Sequence, residues 1–246
     1  MVTLVTGATG GIGKATCMAL AAEGHSLFIT GRIHERLQAL QLDITQSYDV
    51  TVELYQCDVN KQDDIKDLFN TLNQSLRANK NQLAGLVHCA GELTESLLMM
   101  TNEQQVESSI HTNLHSAIYF TQQASRLMMR NKYGVITLLS SVVAEQGAAG
   151  QAIYGAAKAG VLGFVQSTAK ELGPMGIRVN GVSPGFIDTE LVQHYDETKR
   201  QKIQDATPLK RLGKVEDVAA LIAYLHSDKA SFIHGQNIGV DGGLVL

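Results

Sequence analysis

The feature that most limits how this chain can fold is a glycine cluster set directly behind an opening β-branched run. Val2-Thr3-Leu4-Val5-Thr6 reads as a strand, and Thr6-Gly7-Ala8-Thr9-Gly10-Gly11-Ile12-Gly13 joins it to a segment with helical periodicity. Glycines at such a junction let the backbone take positive φ and approach a pyrophosphate. The helix that follows offers free N–H groups and the positive end of its dipole. Taken alone, the cluster is equally well a tight βα turn that holds nothing. Its position favours a phosphate loop, because a dinucleotide-binding fold puts that loop after the first strand. The spacing is G-x-x-x-G-x-G and departs from the common G-x-G-x-x-G.

The rest of the chain repeats the alternation. Short apolar runs fall at 2–6, 27–30, 52–57, 85–89, 135–140, 177–183 and 237–240. Between them lie segments with apolar residues at three- and four-residue spacing, at 15–23, 65–76, 106–129, 156–172 and 215–225. This pattern predicts an α/β fold, a Rossmann-type doubly wound parallel sheet of about seven strands with helices on both faces. A length of 246 residues fits one such domain or two small ones. With no Gly/Ser linker, repeat or low-complexity run, a single domain over 1–246 is expected. The longest irregular stretch, 185–214, contains a helical-looking piece at 196–205, and loops of that length are usually functional.

Composition narrows the class. With 44% hydrophobic and 18% charged residues the chain is neither disordered nor, since its 23 glycines lack a period of three, collagen-like. A net charge of −4 and a pI of about 6.0 argue against a general nucleic-acid binder, which needs a basic face. No run approaches the ~20 apolar residues of a membrane helix, and the opening lacks a signal-peptide pattern. Cys17, Cys57 and Cys89 stand apart without CxxC spacing. They read as buried, reduced thiols of a cytoplasmic protein, with no zinc site or disulfide.

About twenty residues beyond Gly11, Gly31-Arg32 follows the second apolar run, at the ribose-reading position of a dinucleotide fold. An acidic side chain there binds the ribose hydroxyls of NAD, whereas an arginine fork can pair with a 2′-phosphate. Arg32 therefore favours NADP(H), with a solvated residue at a helix start as the plainer alternative. Tyr154 and Lys158, four residues apart in a helical segment, share one face. A phenol with a reference pKa near ~10 is a reluctant acid, and a neighbouring ammonium is expected to lower it. Ser141 ends an apolar run, where α/β folds collect functional groups. Read singly, Tyr-x-x-x-Lys is an ordinary exposed helix pair, Ser141 a strand end and Asn113 a local hydrogen-bonder.

The glycine turn, in the form Thr-Gly-x-x-x-Gly-Ile-Gly, resembles the short-chain dehydrogenase/reductase family. The resemblance continues in order through Cys57-Asp58-Val59, His88-Cys89-Ala90-Gly91, Asn113, Ser140-Ser141, Tyr154-x-x-x-Lys158 and Pro184-Gly185. Within that family the chain is most similar to the 3-oxoacyl-(acyl-carrier-protein) reductases, through Leu97-Leu98-Met99, Gly150-Gln151-x-x-Tyr154, Lys158-Ala159-Gly160, Pro184-Gly185-Phe186-Ile187-x-Thr189 and Val240-Asp241-Gly242-Gly243. The resemblance implies a catalytic set of Asn113, Ser141, Tyr154 and Lys158, with Tyr154 as general acid, Ser141 orienting the carbonyl oxygen and Asn113 supporting a water that links Lys158 to solvent. It implies cofactor contacts from Thr6, Gly7, Thr9, Gly10, Gly11, Ile12 and Gly13, from Arg32, Asp58 and Val59, and from Cys89, Ala90 and Gly91. Tyr154, Lys158, Pro184, Gly185, Ile187 and Thr189 complete that set. Many NADP-dependent relatives carry a basic residue where Gly10 stands, and His88 replaces a common asparagine.

The expected activity is NADPH-dependent reduction of a 3-oxoacyl thioester in fatty acid synthesis. The alternatives are a reductase of another carbonyl (an acyl-CoA, a quinone or a small ketone) and, from a different class, a nucleotide sensor without chemistry. Lys199, Arg200, Lys202, Lys210, Arg211 and Lys214 form a basic run that either attracts a phosphopantetheine arm or acidic carrier protein, or is a solvated face. Lys132 matches a basic position of carrier-binding relatives, and Met175 replaces another. The family likeness further implies a homotetramer, with Leu244-Val245-Leu246 and the stripe Ala156, Ala159, Val161, Leu162 and Phe164 as candidate contact surface or ordinary core.

Overall fold

A computed structural model describes residues 1–189 and 195–245. Residues 190–194 of the expected substrate loop, and Leu246 of the apolar tail, lie outside the described residues. Strands β1 (Val2–Thr6), β2 (Ser26–Gly31), β3 (Val52–Gln56), β4 (Leu83–His88), β5 (Gly134–Leu139), β6 (Ile177–Pro184) and β7 (Asn237–Val240) form one sheet in the order β3-β2-β1-β4-β5-β6-β7. Every pairing is parallel. The chain runs outward from β1 to β3, then crosses back to place β4 on the other side of β1. Open α/β sheets bind ligands at such a reversal, outside the carboxyl ends of the strands.

Helices α1 (Gly11–Ala22), α2 (His34–Ser47), α3 (Gln62–Ala78), α4 (Glu103–Ile110), α5 (Ser116–Met128), α6 (Val143–Gln146), α7 (Ala152–Leu172), α8 (Glu197–Ala206) and α9 (Val215–His226) complete the frame. Because strand side chains alternate, successive residues feed opposite cores. Leu4, Phe28, Leu86 and Leu138 pack with Leu68, Phe120, Val161 and Val165 of α3, α5 and α7. Val5, Ile29, Val87 and Leu139 pack with Cys17, Leu20, Leu37, Ile44 and Ile222 of α1, α2 and α9. Both faces are therefore covered, which is why the strands read as continuous apolar runs.

Four details differ from the sequence expectation. Helix α2 has no counterpart in the periodic segments, since only Leu37, Leu40 and Ile44 are buried in an otherwise polar stretch. Helix α1 begins one turn earlier than expected, because glycines hide its apolar spacing. The expected helix at 106–129 is interrupted by a π-helical turn at His111–His115. Of the cysteines, Cys17 and Cys57 are buried as expected, while Cys89 is only partly so. No helix among the described residues is long and apolar enough to cross a membrane.

Two buried imidazoles give the fold a defined acid response. His88 contacts Thr6 and Ser116, His226 Nε2 bonds Thr137 Oγ1 at 3.2 Å, and burial pushes both pKa values down to about 3. Above pH ~6.5 both states are neutral there and nothing is gained or lost; below it the unfolded chain takes up protons that the folded chain refuses. Stability should therefore fall by roughly 3 kcal/mol per pH unit well below pH 6.5 from these two groups. Urea midpoints between pH 7.5 and 5 will show this slope, and His226→Gln should cut it by about half.

Candidate active site

A groove runs along the carboxyl edge of the sheet, and its middle is the glycine turn. Gly7 has φ +60, and a Cβ there would stand 2.7 Å from the Ala90 amide nitrogen and 2.9 Å from the Cys89 carbonyl carbon. A Cβ on Gly13 would run into the Gly7 carbonyl oxygen. The turn is thus closed by backbone touching backbone, which glycine alone permits. Helix α1 starts at Gly11, has Gly10 as an N-cap without a side-chain bond, and carries no acidic residue in its first turn. Its first N–H groups lack intrahelical partners and face the groove with the positive dipole end. Thr189 closes in from the far side, 3.0 Å from where a Gly11 Cβ would lie.

One end of the groove is lined by Thr9, Arg32, Ile33, Arg36, Asp58, Val59 and Asn60. Arg36 is not among the expected site residues; it lies in the first turn of α2, while Arg32 precedes that helix, and both line the same wall. The Asp58 carboxylate is partly spent on its own turn, accepting the Asn60 N–H at 3.0 Å. Cys89 and Gly91 line both halves of the groove, Ala90 this end alone, and burial pushes the Cys89 thiol up to about 12, so it is an inert lining group.

The Thr6 side chain is fully buried behind the groove and is not part of its lining. Thr6 Oγ1 accepts the Ala90 N–H at 3.2 Å and contacts His88 Nδ1 at 2.9 Å, and His88 Nε2 contacts Ser116 Oγ at 2.9 Å. Ser116 Oγ gives its one proton to Thr112 O at 2.6 Å. A neutral imidazole has one donor and one acceptor, so His88 Nε2–H donates to Ser116 and Nδ1 accepts from Thr6. The order is complete in one direction, from Ala90 to the π turn. His88 thus ties β1 and β4 to the segment that carries Asn113.

At the other end, Ser141, Tyr154, Lys158, Asn113, Pro184, Gly185, Ile187 and Thr189 meet with Ile12, Gln151 and Phe186. Asn113 is buried, donates through Nδ2 to Glu92 O at 2.9 Å and Ser109 O at 3.0 Å, and accepts the Glu92 N–H at 3.1 Å. It therefore pins the chain just after Gly91, where a Cβ would stand 2.9 Å from Asn113 Oδ1 and 3.3 Å from Lys158 Nζ. Lys158 is buried and donates to Leu139 O at 2.9 Å, with its Nζ 5.9 Å from the Tyr154 ring centre. Burial pushes its pKa down to about 8. Ser141 Oγ accepts the Val143 N–H at 3.2 Å, so its own proton remains for donation.

Tyr154 departs from the expected electrostatics. Burial pushes its phenol up from the ordinary value, and a hydrogen bond with Ser141 opposes this. Desolvation of a phenolate in the cleft outweighs an ammonium that leans on Leu139 O. The basic run is largely spent within the chain as well: Lys199 pairs with Glu95 at 3.5 Å, Arg200 with Asp188 at 2.8 Å, and Arg211 grips Asp217 with both nitrogens. Lys210 caps Asp205 O at 2.7 Å.

Comparison with known proteins agrees with this geometry. A family model described as enoyl-(acyl carrier protein) reductase matches residues 7–245. The 3-oxoacyl-(acyl-carrier-protein) reductase of Thermotoga maritima is 37% identical over 245 residues, spanning 100% of this chain and 98% of that protein. Its Aquifex aeolicus counterpart is 35% identical over 243 residues, 99% of this chain and 96% of that protein. An uncharacterised oxidoreductase of Bacillus subtilis is 34% identical over 241 residues, 98% of this chain and 97% of that protein. Among solved structures, a point-substituted actinorhodin polyketide ketoreductase with NADPH matches with a TM-score of 0.91 at 28% identity, covering 99% of this chain and 96% of that one. The sheet order, the glycine turn and these full-length likenesses agree that the chain belongs to the short-chain dehydrogenase/reductase family of oxidoreductases.

Proposed function

We propose that this protein reduces 3-oxoacyl thioesters to 3-hydroxyacyl thioesters with NADPH, as one catalytic domain over residues 1–246. The observation that carries the reading is the meeting of Ser141, Tyr154 and Lys158 in one cleft continuous with the glycine-cradled groove. The groove fits a dinucleotide: backbone N–H groups of α1 for the pyrophosphate, and Arg32 with Arg36 for a 2′-phosphate. When bound, the cofactor supplies a hydride, and with it two electrons, to the carbonyl carbon.

The residues supply the rest. Ser141 donates a hydrogen bond to the carbonyl oxygen and holds it beside Tyr154. Tyr154, kept neutral by burial, gives its proton to that oxygen as the C–O π bond breaks and the C–H bond forms. Lys158 stabilises the phenolate that results, and Asn113 supports a water through which Tyr154 is reprotonated. Hydride plus proton yields the alcohol and balances the step. The intact set speaks against a nucleotide sensor. Reduction of another ketone is the second reading, supported by the likeness to a polyketide ketoreductase. We also take the protein to work in the cytoplasm and to be a homotetramer; the exposed small residues Ala152, Ala156 and Ala159 of α7 support close contact between copies of that helix.

Tyr154→Phe should lower kcat with acetoacetyl-CoA by about a thousandfold or more while the Kd for NADPH, read by fluorescence, changes less than threefold. A Phe variant of undiminished rate removes the assignment. Replacing Arg32 and Arg36 together by Ala should weaken NADPH roughly 10–100-fold, from lost charge-assisted hydrogen bonds, and NADH much less. Because Lys158 loses its charge near pH 8, kcat/KM for reduction should be level near pH 7 and fall through about 8. In Lys158→Arg the surviving activity should keep its level to higher pH.

A further inference from the structure

In the loop after β4 stands a carboxylate that gathers side chains from separate parts of the chain at the wall of the cleft. Glu95 Oε1 accepts hydrogen bonds from Gln151 Nε2 at 3.0 Å and from Tyr195 OH at 2.6 Å, and pairs with Lys199 Nζ at 3.5 Å. The Lys199 ammonium stands 3.3 Å from the Tyr195 ring centre, and the Tyr195 ring packs on Phe186 at 5.9 Å. The loop itself is tied to the turn before α7 by Ser96 N–H donating to Gly150 O at 2.8 Å. Phe186 and Gln151 both line the cleft beside Tyr154.

Gln151 is the informative partner. It is 6% exposed, and that small exposure belongs to a side chain on the cleft wall. An amide can present either its oxygen or its nitrogen, but an ionised carboxylate only accepts, so Glu95 fixes the NH2 end towards itself. One N–H is spent on this contact. Among the described residues the Gln151 side chain makes no second hydrogen bond, which leaves one N–H and Oε1 unspent. Neither atom is among the buried unpartnered side-chain atoms of the described residues, so they open onto the cleft, where a bound group can take the place of solvent. Tyr195, buried and pushed up in pKa by burial and by its bond to Glu95, stays a neutral hydroxyl donor and keeps the carboxylate in place.

We infer that Glu95 is a positioning residue for substrate choice: it turns the Gln151 amide so that its remaining N–H meets a second oxygen on the substrate, favouring 1,3-dicarbonyl compounds over simple ketones. This rests on the reductase reading above. A site built to hydrogen-bond a substrate group discriminates strongly against an analogue that lacks it, because the protein's polar group is then left unpaired.

The test is steady-state oxidation of NADPH by the purified full chain with acetoacetyl-CoA and with cyclohexanone, for wild type, Glu95→Ala, Glu95→Gln, Gln151→Leu and the Glu95→Ala/Gln151→Leu double variant. Glu95→Ala and Gln151→Leu should each raise KM for acetoacetyl-CoA at least tenfold with kcat within threefold, and leave kcat/KM for cyclohexanone within threefold. The double variant should be no worse than either single one, since both remove the same contact. Glu95→Gln, which keeps an acceptor oxygen, should stay within threefold of wild type. Equal losses on both substrates, a loss in kcat alone, additive losses or no loss would each overturn the inference. Absence of NADPH oxidation by wild type with any carbonyl would instead overturn the reductase reading.

Discussion

The site depends on two strand ends that approach each other with no side chain between them. At the sheet's reversal the turn after β1 lies against Cys89 and Ala90, at a separation where a Cβ on Gly7 would stand 2.7 Å from a backbone nitrogen. That contact fixes where α1 begins and so where its unpartnered N–H groups point. The same contact is braced from within by the Thr6, His88 and Ser116 side chains, whose hydrogen bonds end on the π turn. The π turn in turn presents Asn113, which holds the chain after Gly91 from both sides of Glu92. The two halves of the groove are consequently braced together, with Gly91 lining both.

The alternation of short apolar runs and helical spacing makes the sheet legible in the sequence, because strands buried on both faces need no polar alternation to announce them. The cluster of Ser141, Tyr154 and Lys158 is legible for a different reason: its members keep a fixed order along the chain, and the sheet's topology then brings strand end and helix together. Helix α2 escapes notice because three buried residues suffice to dock it. The π turn escapes because it is a single local change of hydrogen-bond partner within a continuous helical run, with no glycine or proline to announce it.

Charges were the least legible part, and the reason is physical. Whether Lys199, Arg200 or Arg211 is a free cation depends on whether Glu95, Asp188 or Asp217 lies within ~4 Å, and each of these partners lies outside the element that carries its cation. Much of the basic run thus consists of internal ties, from α8 to Glu95 and Asp188 and from Arg211 to α9. Arg36 joins Arg32 on one wall of the groove because the chain turns into α2 between them, a turn that carries no mark in the charge pattern.

The electrostatics of the cleft assign opposite tasks to its two titrating groups. Burial raises the Tyr154 phenol and lowers the Lys158 ammonium, so both neutral forms gain as water is excluded. For the reduction proposed above this is favourable at Tyr154, which would have to arrive as an acid, and limiting at Lys158, whose charge would be needed only once the proton has left. The bond from Lys158 Nζ to Leu139 O keeps the ammonium within reach without committing it to the phenol in advance. Stabilisation is then strongest where negative charge develops and weak before it does, which is the condition for an interaction to accelerate a step rather than merely tighten binding.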